Sequence, residues 1–198
     1  MRRLPQDKNS VKILKRKLVA ENSKWRVFFD HIRAENGFEV PDYLVVEHKV
    51  RANGNITGVG ILPIVGEKII LQKAFRYPLN ASFWEMPRGM VDSGEDPKVS
   101  AIRELEEESG LICSSDDLFF IGNVAAETST LAGLGALFIA FNCKWGGSRD
   151  LEEPGLGECQ SFSPQQVYSM IFQNEIHEAH TLIALNRYLL DYFYQRDM

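Results

Sequence analysis

Residues 89–111 read GMVDSGEDPKVSAIRELEEESGL, a capped helix with an unusually acidic edge. Asp96 is an N-cap, Pro97 suits the first helical position, and Gly110 supplies a left-handed stop, so a helix is predicted over 97–109. Its apolar face is expected to be Val99, Ile102 and Leu105, spaced three apart. On such a helix Glu104 and Glu108 lie four apart and Glu107 three from Glu104, which projects three carboxylates onto one side. Like charges at this spacing destabilise an isolated helix, and Glu108 sits near the negative end of the dipole. A compensating cation is therefore expected. Carboxylate oxygens with no thiolate or imidazole among them suit a hard ion, magnesium or manganese, better than zinc or copper. Arg103, four before Glu107, is placed to orient that carboxylate through a charge-assisted hydrogen bond. The same charges also fit a solvated helix face, and the residues 103–108 alone leave both readings open.

Working outward, β-branched and aromatic residues alternate with polar ones over 11–18, 24–32 and 43–50, the period of half-buried strands. Turn residues Ala52-Asn53-Gly54-Asn55 precede a continuous apolar run at 57–65, and Gly66-Glu67-Lys68 leads into 69–75, so these two runs are predicted to pair as a hairpin. Residues 83–87 form a short extended piece ending at proline. Downstream, 118–121, 137–141 and 161–162 read as strand, and 164–172 and 178–194 as helix.

With 198 residues, 44% hydrophobic and 25% charged, the chain is expected to build one core with embellishments. No apolar run approaches bilayer length. The basic, polar start, Met1 to Lys17, lacks the apolar stretch of a secretory signal, so a cytoplasmic location is expected. Cys113, Cys143 and Cys159, an odd number at wide spacing, read as buried free thiols. A net charge of -5 argues against a protein that holds long nucleic acid. The basic cluster of Arg2, Arg3, Lys8, Lys12, Lys15, Arg16 and Lys17 reads as a solvated strand face. His177 and His180 lack zinc-site spacing and read as exposed helix residues.

The acidic segment matches the box of the Nudix hydrolases, G-x5-E-x7-R-E-U-x-E-E-x-G-U with U apolar, at Gly89, Glu95, Arg103, Glu104, Leu105, Glu107, Glu108, Gly110 and Leu111. Chance agreement at those positions is on the order of 10^-9 per starting point at average residue frequencies. The resemblance implies an α+β fold, an α/β/α sandwich with a mixed β-sheet and an amino-terminal strand extension. It divides the chain into a β-rich, dimer-forming extension at 1–56 and a Nudix domain at 57–198. It also implies that Glu104 and Glu108 are the principal ligands of a divalent ion, Mg2+ or Mn2+, with Glu107 as a further ligand.

The upstream segments, Leu71 to Pro78 and Trp84-Glu85-Met86-Pro87-Arg88-Gly89, resemble the ADP-ribose pyrophosphatase branch of that family. That resemblance places Arg76, Glu85 and Arg88 at the substrate, with the Arg88 backbone carbonyl as a metal ligand. Arginine stands at 88 where the branch usually has alanine, and no proline follows the box at the usual distance in Val124 to Ser129. The general base is implied to come from the loop 146–158, with Glu153 first, Glu152 second and Glu158 third. Glu107 and Arg103 are implied to assist catalysis, and Trp25 and Phe28 to stack on the base. The implied activity is pyrophosphate hydrolysis of a small nucleoside-diphosphate sugar by a homodimer that binds neither long nucleic acid nor membrane. GDP-mannose or a dinucleotide as substrate, a non-hydrolysing nucleotide sensor and a cap-processing enzyme are the alternatives.

Overall fold

The computed structural model describes residues 11–150 and 154–194. Among them the first three strands, β1 (Lys12–Glu21), β2 (Trp25–Arg33) and β3 (Glu39–His48), form an antiparallel sheet in that order. The sheet is laced across its strands by Arg16, which forks onto the buried Asp30 (Nη2 to Oδ2 2.7 Å) and donates to Glu47 Oε1 at 2.7 Å. The rest of β1 is largely exposed, as its basic composition leads one to expect.

Then come β4 (Ile56–Val65), β5 (Lys68–Arg76), β6 (Ala81–Glu85), β7 (Arg88–Met90), α1 (Pro97–Ser109), β8 (Leu111–Ile112), β9 (Leu118–Val124), β10 (Leu134–Ala140), β11 (Lys144–Trp145), β12 (Leu156–Phe162), α2 (Pro164–Phe172) and α3 (Ala179–Tyr194). The main sheet runs β12-β5-β4-β10-β9, with β6 added on β5 and β7 on β4; only β4 and β10 are parallel within it among the described residues. β4 and β5 begin as the expected hairpin around Gly66, then separate after two paired positions, Ile64 with Ile69 and Val65 with Lys68. Past that fork β5 pairs with β6 and β4 with β7, so the chain crosses from one arm to the other at Met86-Pro87. The Pro87 carbonyl accepts from Ile61 N at 2.9 Å and closes the gap.

Two cores flank this sheet. Leu62, Ile64, Leu71, Leu137 and Ile139 pack with α2 and α3, while Val59, Ile61, Ala136 and Phe138 pack with Leu105 of α1. This gives the three layers of an α/β/α sandwich. No helix among the described residues is long and apolar enough to cross a membrane.

Two local expectations need correction. α1 starts at its Asp96 cap and stops at Gly110 as read, but its inner face is Ala101, Glu104, Leu105 and Glu108, while Val99 is 54% exposed. A row spaced three apart drifts about 60° per step round a 3.6-residue helix, whereas 101, 105 and 108 stay on one stripe. Glu158 belongs to β12 rather than to a loop. The glycines beside it let β12 lie close on β5: a Cβ at Gly157 would sit 2.3 Å from the Lys73 carbonyl oxygen.

Candidate active site

The box carboxylates sit at the fork of the sheet. Arg103 reaches up from α1 to Glu95 Oε2 (3.0 Å), Met90 O (3.1 Å), Glu104 Oε1 (2.8 Å) and Glu107 Oε2 (2.9 Å). That guanidinium holds the Glu95 carboxyl below its usual range, helped by Ser100 and a backbone amide against the opposing effect of burial. In return Arg103 is more firmly protonated, first through Glu95 and then through Glu104. One arginine thus ties the loop before α1 to two acids on the helix.

Glu108 is 2% exposed, and its Oε2 accepts from Gln72 Nε2 at 2.7 Å and from the Arg88 amide at 2.8 Å. Glu104 lies directly on the backbone of β7: a Cβ at Gly89 would come within 2.1 Å of its carboxylate. The box glycine is therefore a cradle, since only a residue without a side chain lets the acid rest there. Gln72 Oε1 is buried with no hydrogen-bond donor, which adds a neutral oxygen to the acidic edge. Among the described residues the acids form no ready-made metal cluster: Arg103 Nη1 sits between Glu104 Oε1 and Glu107 Oε2, and Gln72 Nε2 donates to Glu108 Oε2. The donors are all hard oxygens, and magnesium commonly keeps several waters between itself and such ligands, so the set fits a hydrated divalent ion.

Arg76 and Arg88 converge on one buried acid. Glu85, 1% exposed, accepts from Arg76 Nε (3.0 Å) and Nη2 (2.7 Å) and from Arg88 Nε (2.9 Å). Two guanidiniums are thus fixed in position on one carboxylate beside the acidic edge.

A cleft of about 920 Å³ joins these groups. At one end lie Arg103, Glu104, Glu107 and Glu108, with Arg76 and Arg88 on its wall. At the other end the amino-terminal sheet contributes Trp25, Val46 and His48, where the Trp25 ring stands edge-on to the His48 imidazole at 5.0 Å. That sheet is stitched to the loop before β10: Val46 N donates to Thr130 O and Ala132 N to Val46 O, both at 2.9 Å. Glu127 builds the turn, accepting from the amides of Ser129 and Leu131 at 2.7 and 3.1 Å and from that of Thr130.

Of the residues singled out from sequence, the structure brings Arg76, Arg88, Arg103, Glu104, Glu107, Glu108 and Trp25 to one cleft. Glu85 lies beneath the arginines rather than among the lining residues, and Phe28 lies away from the cleft with the Arg16 guanidinium 4.7 Å above its ring. Glu152 and Glu153 fall outside the described residues; Asp150 and Pro154, on either side, line the cleft.

His180 went unnoticed as a site residue in the sequence, where it reads as exposed. It is partly buried and lines the cleft, with Nδ1 2.8 Å from Glu178 Oε1. Burial pushes the Glu178 carboxyl up, but His180, the positive field of Arg88 and the Thr181 amide overcome this and bring it down to about 2. The ionised Glu178 fixes the imidazole with Nε2 free of that contact, and Gly135 leaves room for it, since a Cβ there would lie 2.9 Å from Nε2. The signal in sequence was an acid two residues before a histidine at a helix start, which is too common to single out.

A model of the NUDIX domain family matches residues 54–184. The chain belongs to the NUDIX family. Among its curated relatives, the ADP-ribose pyrophosphatase of Saccharomyces cerevisiae is 46% identical over 66 residues, 30% of this chain and 29% of that protein. The ADP-sugar pyrophosphatase of Mus musculus is 31% identical over 98 residues, 47% of this chain and 44% of that protein. The matches therefore span less than half the length of either Nudix relative. A crystal structure of an ADP compounds hydrolase superposes with a TM-score of 0.77 at 20% identity over 98% of both chains, which shows the fold expected from the sequence.

Proposed function

We propose that this Nudix protein is a metal-dependent pyrophosphohydrolase that splits a nucleoside-diphosphate sugar, ADP-ribose or a similar ADP-sugar, into a nucleoside monophosphate and a sugar phosphate. The observation that carries this reading is the single cleft with an acidic edge, a fixed pair of arginines and an aromatic far end. A diphosphate flanked by two ribose-sized groups needs cation and arginine contacts at its middle and an apolar shelf at its base. Names of the relatives support the same substrate class.

In this reading Glu104, Glu107 and Glu108, with the Arg88 carbonyl, hold Mg2+ or Mn2+. When bound, such an ion neutralises the diphosphate and lowers the pKa of the attacking water. Arg76 and Arg88 grip the phosphate oxygens, and Glu85 holds both guanidiniums in place. Arg103 keeps Glu107 and Glu104 oriented toward the cleft. Glu153, or failing that Glu152, takes the proton from water, a contribution of about 10²–10⁴-fold. Trp25 stacks on the base. The extension 1–56 pairs two copies into a homodimer, for which the exposed Ile13, Leu18, Phe29 and Leu44 of the amino-terminal sheet offer apolar surface.

The test is to incubate the purified protein with a panel of nucleoside-diphosphate sugars and dinucleotides, with and without Mg2+, and to identify the products. Release of AMP and ribose phosphate from ADP-ribose, dependent on the ion, is the expected result. Preference for GDP-mannose or a dinucleotide would move the substrate assignment, and binding without turnover would overturn the enzyme. Sedimentation of the protein as a monomer at micromolar concentration would remove the homodimer.

A further inference from the structure

Two of the three thiols meet at the root of the loop that follows β11. The short antiparallel ladder pairs Lys144 with Ile112 and Trp145 with Leu111, so the next position outward sets Cys143 opposite Cys113. The two side chains are close enough for each to affect the ionisation of the other. Directly opposed residues of an antiparallel pair have Cα atoms about 4.5–5.5 Å apart, inside the range a disulfide spans. Cys143 is buried, its Sγ donating to the Ala140 carbonyl at 3.2 Å, while Cys113 is partly exposed.

What this ladder anchors makes the pair consequential. Just past β11, the amides of Gly146 and Gly147 donate to Gly110 O (3.3 and 3.1 Å), Asp150 N donates to Glu107 O (2.7 Å), and Arg149 Nε to Glu108 O (2.6 Å). The loop is thus hung from the Glu107 and Glu108 carbonyls of α1 and from that of Gly110 just past it. We propose that Cys113 and Cys143 form a thiol–disulfide exchange site for a low-molecular-weight disulfide, and that closing it clips the β8–β11 ladder, which joins the end of the acidic helix to the start of this loop.

The chemistry balances with oxidised glutathione as the co-reactant. The Cys113 thiolate attacks one glutathione sulfur, a mixed disulfide forms, and one glutathione thiolate leaves and takes a proton. Cys143, deprotonated as it attacks, displaces the second glutathione from Cys113 Sγ; two protein thiols are oxidised and one external disulfide is reduced to two thiols. The division of labour follows from the surroundings. Beside Cys143 the Cys113 thiol is held below its usual range despite burial, whereas Cys143, beside Cys113 and buried, is pushed well above it. Cys159 on β12 is a built-in control: burial raises its thiol, and no sulfur faces it across its ladder, where its partner is Gln72.

The experiment treats the full chain with excess oxidised glutathione, titrates thiols after denaturation and maps disulfide-linked peptides. Expected are a fall from three free thiols to one, a Cys113–Cys143 linked peptide, and stronger hydrogen-exchange protection of the Gly146 and Gly147 amides, all reversed by dithiothreitol. Cys143→Ser should stop at a single glutathione adduct on Cys113, and Cys159→Ser should behave as wild type. Turnover of ADP-ribose is expected to drop about threefold or more on oxidation, because the ladder leads into a segment bonded to the Glu107 and Glu108 carbonyls. That last arm rests on the pyrophosphohydrolase reading, whereas the thiol and exchange arms do not, so failure of either can be told apart. A linkage through Cys159, no loss of thiols, or a linked pair with unchanged amide protection would overturn the proposal.

Discussion

The two ends of the cleft are built on opposite principles. The acidic end is a lattice of charged groups in which nearly every position is set by a hydrogen bond: Arg103 on three acids, Gln72 and an amide on Glu108, Glu85 under two arginines. The far end is a shelf of carbon and aromatic surface from Trp25, Val46 and His48, held by strand pairing. The difference separates two tasks. Charge that must act on a reacting diphosphate needs orientation fixed beforehand, because reorganisation at the moment of reaction costs rate. A base needs only area and a flat partner, which strands supply without a network.

The sharpest way to break this comparison is at the acidic end. Glu108→Gln keeps the shape and an oxygen that can accept from Gln72 and the Arg88 amide, but removes the charge. Turnover of the favoured nucleotide sugar is expected to fall by about 10³-fold or more, with the circular dichroism spectrum and melting transition retained. Activity at the wild-type level would sink the assignment of Glu108 as an ion ligand.

The next effect belongs to the support beneath the arginines. Glu85→Gln leaves Arg76 and Arg88 charged but frees their geometry, and catalytic efficiency is expected to drop about 10–100-fold. Steady-state kinetics should show KM and kcat both affected, since both guanidiniums loosen. If only the melting temperature moves, Glu85 serves the fold and not the site.

How far the sequence could foretell all this depends on how local each feature is. The box is legible because Glu104, Glu107, Glu108 and Arg103 lie on one helix, where spacing converts directly into a shared side. The opposite wall is assembled from 23–25, 46–50, 131–135 and His180, and no local pattern announces that these segments meet. Charge also misled: hydrophobic periodicity turns Val99 inward and the acids outward, whereas the fold buries Glu108 and exposes Val99. A site inverts the usual rule at the place where it matters, because the burial of those acids is what makes them useful. Glu85 shows the same limit. Its neighbours in the chain point to substrate, but among the described residues its carboxylate reaches the two arginines that do the pointing.

At the far end a smaller, cleaner effect is expected. Trp25→Ala should raise KM for an adenine-bearing substrate about tenfold, in line with about 1–3 kcal/mol for a stacked base, while kcat stays within about threefold. A nucleotide sugar with a smaller pyrimidine base should lose less. Equal losses for kcat and kcat/KM would mean that the two ends are not separable and that the shelf helps to place the diphosphate.

The smallest effect on turnover, and the one that tests where the two designs join, concerns Glu178. It caps α3 through the Thr181 amide (2.7 Å) and orients His180, and the Thr181 hydroxyl in turn accepts from the Met86 amide at 3.1 Å, in the crossing between β6 and β7. Its folded carboxyl stands at about 2 against an ordinary 4.5, so ionisation stabilises the fold. That stabilisation is fully present above about pH 4.5 and is lost as pH falls toward 2. Glu178→Gln is therefore expected to cost about 1–3 kcal/mol at neutral pH and to flatten the acid arm of the stability curve between those two pH values. Urea titrations at a series of pH values measure both. Because the cap fixes His180 and the crossing rather than the acids of α1, turnover at neutral pH should change by less than about threefold. A loss of turnover as large as that of Glu108→Gln, with stability unchanged, would place His180 within the chemistry and erase the division between a charged working end and a passive wall.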